Sequence, residues 1–287
     1  MLAANRILAM NSIPVPSWKE AESKISVEIN GVYVQLKNAP DQFQRFVRPA
    51  VFSTDNEIWE LQYHGSATMV RYGGRDMAIT TAHQTGDGHA APRAEKFVIV
   101  VKDEERRLTV PPRSVRNVMV DAGENTIAED ILFYEYDKQG GRKVADHLEL
   151  TKVLWSDAIG LKVVYSFLIG FPSESVIIEL DPSDETAIGE YKLRWIRQDL
   201  EPAERQPLDP GNRNIFIKHH QSSRRSVKPD GLSGSPVFSV VQDSGNDCHL
   251  RFDGIVTHAK GDRFAVYPSQ MIREALDTIQ DDGSVER

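Results

Sequence analysis

Between residues 57 and 267 the chain is a succession of short runs rich in Val, Ile, Thr, Phe and Tyr. Gly, Pro, Asp and Asn break them up, and helix-length apolar periodicity is almost absent between them. Such runs fall at 57–63, 67–72, 77–81, 96–101, 131–136, 162–169, 175–180, 191–197, 214–219, 236–241, 250–258 and 263–267. A parallel sheet needs a crossover helix between successive strands, so βαβ architecture is disfavoured. The expected fold class is all-β, as a sandwich or a pair of barrels.

Two segments stand apart. Residues 24–36, KISVEINGVYVQL, alternate apolar and polar positions around Asn30-Gly31, the dipeptide suited to a type I′ turn, and predict a hairpin. Before it, Ser17 and Glu20 have capping-box spacing over one or two helical turns. At the other end Ser269 is placed to cap a helix in which Ile272, Leu276 and Ile279 form one apolar stripe. The organisation read from this is an N-terminal extension (1–50), two β-rich bodies (51–150 and 151–268), and a C-terminal helix and polar tail (269–287).

Composition excludes several function classes. With 34 basic against 42 acidic residues the formal charge is -8, unsuited to sequence-independent nucleic-acid binding. The cluster of Arg224, Arg225 and Lys228 lacks interleaved aromatics and reads as a solvated loop. Cys248 is the only cysteine, which rules out an internal disulfide and is compatible with a reducing compartment. Arg6 interrupts the apolar start, and no apolar stretch approaches the roughly 20 residues needed to cross a bilayer. A cytoplasmic protein with no membrane or nucleic-acid partner is expected.

Three segments carry the chemistry. Residues 65–84, GSATMVRYGGRDMAITTAHQ, read as strand, Gly73-Gly74 turn, strand, then His83, placed just past a buried strand as a general base must be. Any one of the eight histidines is more often a packing or surface residue, so His83 alone decides nothing. Residues 129–136, EDILFYEY, put Asp130 at the mouth of an apolar strand, where a carboxylate can accept an imidazole Nδ1 proton. Glu129, Asp121 and Asp137 compete for that role, but only Asp130 leads directly into the apolar run. Residues 230–238, DGLSGSPVF, set Ser233 near two glycines; the turn can expose its hydroxyl while the amides of Gly231 and Ser233 form an oxyanion hole. A Gly- and Ser-rich run is also linker chemistry, but here it continues at once into the strand PVFSVV.

The order His, Asp, Ser differs from that of subtilisin and of α/β-hydrolases. Together the segments resemble the trypsin/chymotrypsin family of serine endopeptidases. Thr81-Ala82-His83 is similar to its Thr-Ala-Ala-His, Asp130-Ile131-Leu132 to its Asp-Ile-Ala-Leu, and Gly231-Leu232-Ser233-Gly234-Ser235-Pro236 to its Gly-Asp-Ser-Gly-Gly-Pro. Gly254-Ile255-Val256-Thr257 and Ala265-Val266-Tyr267 extend the resemblance, which spans about residues 55 to 280. It implies two antiparallel six-stranded barrels with a His83, Asp130, Ser233 triad between them, acting on a protein or peptide substrate with no metal or organic cofactor.

The resemblance further implies that Thr257, His258 and Ala259 pair with an extended peptide, that Val227 lies at the base of the side-chain pocket, and that Ala259 lines its wall. Without an acid there, an uncharged apolar residue is expected before the scissile bond. His219, His220 and His258 are near enough in sequence to contribute to that pocket, although surface or packing roles are the commoner ones for a histidine. Leu232 replaces the aspartate that pairs with a new amino terminus in secreted relatives, so that activation switch is missing. Gln84 stands where those relatives carry a disulfide cysteine, and Ser235 replaces a glycine near the substrate path. The alternatives are an inactive domain of this fold used as a scaffold, and a protease awaiting a regulatory protein partner through its N-terminal extension.

Overall fold

A computed structural model describes residues 24–54, 61–85, 94–103, 106–121, 126–137, 145–181, 184–219 and 227–282. The capping-box signal at Ser17 and Glu20 lies outside them, as do His220, Arg224 and Arg225.

The chain opens with the hairpin β1 (Ser26–Ile29) and β2 (Val32–Gln35), turning through Asn30 and Gly31, both at positive φ as a type I′ turn requires. The hairpin is seated on the body. Val27 and Ile29 are fully buried, and the Asn30 amide donates to His147 O and accepts from Glu149 N–H. After a short helix, α1 (Ala39–Gln42), a single 3-10 turn carries Phe43 and Phe46 into the core. Phe43 packs its ring 4.4 Å from Phe238 and 5.6 Å from Phe167, bringing this segment against the C-terminal half of the chain.

The N-terminal sheet is built from β3 (Val47–Ser53), β4 (Leu61–Tyr72), β5 (Arg75–Thr80), β6 (Phe97–Asp103), β7 (Arg106–Val110), β8 (Ser114–Asp121) and β9 (Thr126–Tyr136), with β10 (Leu148–Glu149) attached to β4. Its order is β7-β6-β3-β4-β5-β9-β8, a path whose two ends are not joined among the described residues. The C-terminal sheet contains β11 (Leu154–Trp155), β12 (Lys162–Gly170), β15 (Ile196–Pro202), β16 (Asn214–Lys218), β17 (Pro236–Gln242), β18 (Cys248–Lys260) and β19 (Arg263–Pro268). Here the extra pairing of β18 with β19 closes the ring β18-β17-β12-β15-β16-β19, a six-stranded barrel. A separate hairpin, β13 (Val176–Asp181) and β14 (Asp184–Leu193), stands between β12 and β15 in sequence. The all-β expectation is met and one closed barrel is present; the second expected barrel is not shown, because the N-terminal path is open.

The chain ends in α2 (Ser269–Asp282), whose stripe of Ile272, Leu276 and Ile279 is buried as its 3.6-residue spacing requires. The Ser269 hydroxyl does not cap that helix. It donates to Phe252 O at 2.5 Å and accepts from Ser156 N–H at 2.9 Å, so it anchors the helix start to the barrel. No described helix is long and apolar enough to cross a membrane.

Candidate active site

His83 lies in a one-turn 3-10 segment (Ala82–Thr85) directly after β5. The turn is fixed by the bond from Thr85 Oγ1 to Ala82 O at 2.7 Å, with Ala82 packed in the core. Asp130 comes from β9, where the sequence placed it at the start of a strand. The strand instead begins at Thr126, and Asp130 sits in a bulge: Asn117 pairs with Leu132 and Met119 with Ala128, leaving Glu129, Asp130 and Ile131 opposite Val118 alone. Such a bulge breaks the pleat and re-aims a side chain out of the alternating register.

The outcome is a continuous relay. Asp130 Oδ2 lies 2.7 Å from His83 Nδ1, and His83 Nε2 lies 2.9 Å from Ser233 Oγ. Asp130 Oδ1 also accepts the His83 backbone N–H at 2.9 Å. An ionised carboxylate only accepts, so the ring proton belongs on Nδ1, and Nε2 is left to accept from the serine hydroxyl. Asp130 is nearly buried, while 44% of the His83 side chain is exposed.

Ser233 is held by the strand that faces it. Its carbonyl accepts the Ser66 N–H at 2.9 Å and the Gln84 side-chain amide at 2.5 Å, and the next carbonyl, of Gly234, accepts from Thr68 Oγ1 at 2.8 Å. The Gly231 carbonyl accepts from Ser66 Oγ at 3.0 Å, and Ser66 Oγ takes the Phe171 N–H at 2.9 Å. Tyr63 donates its hydroxyl to Phe171 O across the same seam. These contacts leave no room for side chains: a Cβ on Gly234, at φ +81°, would lie 1.9 Å from Ser66 O, and one on Gly231 would lie 2.6 Å from the Tyr63 hydroxyl oxygen.

The same bonds orient the amides. The Asp230 carbonyl is taken by Ser173 N–H at 2.7 Å and the Leu232 carbonyl by Ser235 N–H at 3.1 Å. In a trans peptide the N–H points away from its C=O, so the amides of Gly231 and Ser233 face the opposite way. Neither donates to a partner among the described residues.

The other residues singled out from sequence fall around this centre. Thr257 is fully buried, its hydroxyl donating to Ala265 O and accepting from Arg213 Nε, both at 3.2 Å; only its main chain is left for a ligand. His258 is exposed, with its ring 5.9 Å from that of His83, and burial of part of the ring holds it below the ordinary histidine range. His258, Ala259 and Lys260 pair with β19 on one edge, while β17 reaches no further than Ile255 on the other. That edge is therefore unpaired among the described residues. Val227 is half-buried, and its carbonyl accepts from Lys218 Nζ at 2.9 Å. Lys218, itself buried and 3.1 Å from Asp262, puts an ion pair there that the sequence pattern does not signal. His219 donates its backbone N–H to Asp199 O.

The residues flanking this centre are fixed by packing and charge. Ser235 is fully buried with its Oγ against Gly170, where a Cβ would lie 1.9 Å away, so its side chain belongs to the packed interior. Leu232 is fully buried in an apolar cluster with Leu168, Val237, Val256, Phe264 and Val266. Next to Asp130, Glu129 forms an ion pair with Arg213 at 2.7 Å, and the Arg213 guanidinium lies 4.6 Å over the Tyr267 ring. Gln84 and Thr85, which follow His83, line a pocket of about 260 Å³ together with Phe52, His64 and Lys96 among others. Among the described residues no group of three or more His, Cys, Asp or Glu is arranged to hold a metal ion. No protein-family model matches the chain, and a search of the curated proteins finds no match.

Proposed function

We propose that the chain is a serine endopeptidase that cleaves peptide bonds through an acyl-enzyme intermediate. The observation that carries this reading is the unbroken Asp130–His83–Ser233 relay, at 2.7 and 2.9 Å, contributed by three distant segments. In it, Ser233 Oγ attacks the carbonyl carbon as His83 Nε2 takes the hydroxyl proton, and Asp130 stabilises the imidazolium formed. The amides of Gly231 and Ser233 receive the negative charge developing on the carbonyl oxygen; in proteases one such donor is worth about 2.7 to 4 kcal/mol in the transition state. His83 then delivers its proton to the leaving amine, and water, activated by the same imidazole, releases the acyl group.

The open edge of β18 at His258–Lys260 supports a protein or peptide substrate bound in extended form, which adds a strand by main-chain bonds. In this reading the N-terminal sheet corresponds to the second six-stranded barrel of the trypsin/chymotrypsin family, with the cleft between the two. Its place of action is the cytoplasm, supported by the use of one cysteine in 287 residues.

The test is labelling with a fluorophosphonate, followed by digestion of a proteome-derived peptide library. Label on Ser233 that disappears in Ser233→Ala, with peptide cleavage lost in parallel, is the expected result. A folded wild type that takes no label and cleaves nothing, alone or with added cell extract, overturns the reading.

A further inference from the structure

We infer that Gln84 is a positioning residue that fixes the distance between His83 and Ser233. The inference rests on the triad reading above. Gln84 follows His83 in the same turn, is 2% exposed, and reaches across to the other half of the molecule. Its Nε2 donates to Ser233 O at 2.5 Å and to Ser66 O at 3.3 Å. Both neighbours are acceptors, so the amide has one workable orientation; flipped, it would set oxygen against oxygen.

Three features set this side chain apart from a space-filling one. First, the Ser233 carbonyl already accepts the Ser66 backbone N–H, so Gln84 supplies its second bond and completes its accepting capacity. Second, the surroundings are cut to fit the amide. A Cβ on Gly65 would lie 2.4 Å from Gln84 Nε2, and one on Gly234 3.1 Å from it. Third, Gln84 Oε1 is buried with no hydrogen-bond partner among the described residues. A buried orphan acceptor is a standing penalty that an apolar residue of the same size avoids, and its retention points to a use for the donor end.

That use follows from the geometry. The triad spans two sheets, and its 2.9 Å contact between Nε2 and Oγ depends on how the His83 turn sits against the Ser233 turn. Gln84 belongs to the first turn and is bonded to the second, so the base and the nucleophile move as one unit. A displacement of about 1 Å at such a contact costs on the order of 100-fold in rate.

The experiment compares Gln84→Met and Gln84→Glu with wild type, using fluorophosphonate labelling and peptide hydrolysis from pH 5 to 8. Gln84→Met keeps length and removes the donor. We expect its kcat to fall about 10- to 100-fold with KM little changed. Gln84→Glu places a carboxylate against two carbonyl oxygens, and only its protonated form can donate to Ser233 O. Its rate relative to wild type therefore rises as pH falls, a response that loss of packing does not produce. Dividing by wild type at each pH removes the titration that both proteins share, that of His83 with Asp130 and of His64 and Lys96 in the adjoining pocket; a carboxylate at 84 that favoured protonated His83 would lower the ratio as pH falls, opposite to the rise expected. A Gln84→Met kcat within twofold of wild type overturns the inference, as does a Glu-to-wild-type ratio that is flat with pH; should the Met variant not fold, the ratio decides. A wild type without label at Ser233 sinks the triad reading itself, whereas labelled wild type with unimpaired Gln84 variants sinks this inference alone.

Discussion

Asp130 engages His83 with both carboxylate oxygens, Oδ1 on the backbone N–H at 2.9 Å and Oδ2 facing ring Nδ1 at 2.7 Å. One side chain therefore sets both where the histidine turn sits and which ring nitrogen carries the proton. Asp130→Asn separates these roles, because the amide has one oxygen and can satisfy the backbone while turning a donor toward the ring. The expected result is a fall of about 10⁴-fold in kcat, as for the equivalent change in a trypsin-like triad, with the folding transition little moved. Steady-state hydrolysis beside a thermal melt checks it; a fall smaller than tenfold would show that Asp130 does not set the tautomer.

The bulge that aims Asp130 also places Glu129 against Arg213, with side-chain exposures of 14% and 8%. Arg213 bonds Thr257 Oγ1 as well, so the pair ties the Asp130 segment to the strand proposed to hold substrate. Removing one partner leaves the other charged and buried. Arg213→Met is expected to cost about 3–5 kcal/mol, read from denaturant unfolding. Adding Glu129→Gln to it should recover a large part, since the pair's own net worth is small. Equal losses in the single and double variants would mean that the cost comes from the lost stacking on Tyr267.

These two carboxylates also mark how far the sequence could be read. His83, Asp130 and Ser233 were legible because each lies in a local strand-or-turn pattern and the three follow one order. The hairpin at Asn30-Gly31 and the stripe Ile272, Leu276, Ile279 were legible for the same reason, being set by neighbours in the chain. The bulge around Asp130 was not, because it is defined by a partner strand at residues 117–119, and apolar spacing carries no register. Closure of the C-terminal barrel depends on β19, which forms a local hairpin with β18, also pairing with the distant β16, Asn214 opposite Val266, and the open path of the N-terminal sheet is likewise a matter of long-range pairing. Gln84 read as a cysteine's absence; its bond to Ser233 joins residues 149 apart. Ser66 and Thr68 gave no signal beyond polar positions in a strand, although glycines at 231 and 234 hinted that something packs tightly on that turn.

Asp253 gives the clearest pH signature. It lies in a second bulge, opposite the Val237–Phe238 step, almost completely buried, and bonds Ser239 Oγ at 2.5 Å and Arg251 Nε at 2.7 Å. Burial outweighs these partners and raises its pKa from 3.8 to about 6. A folded-state value above the unfolded one means that the native state binds the proton more tightly. The favourable contribution is therefore fully present below pH 3.8 and is lost as pH rises through 6. Relative to Asp253→Asn, wild type should gain about 2 kcal/mol of unfolding free energy between pH 7 and pH 4. Parallel stability profiles for the two proteins would refute this.

Leu232 tests how the Ser233 turn is held. Its side chain is fully buried among Leu168, Val237, Val256, Phe264 and Val266, and its carbonyl accepts the Ser235 N–H that helps turn the Ser233 amide outward. The apolar cluster thus anchors the turn by burial. Leu232→Ala opens a cavity directly behind the turn and should cost about 2–5 kcal/mol. Labelling of Ser233 should slow more than this destabilisation accounts for under conditions where the variant remains folded, because the amide orientation depends on the same anchor. Leu232→Asp puts an unpaired carboxylate into that cluster, and loss of the folded state at neutral pH is expected. A folded, fully labelled Leu232→Asp protein would mean that the turn is held by the bonds from Ser66, Thr68 and Gln84 alone.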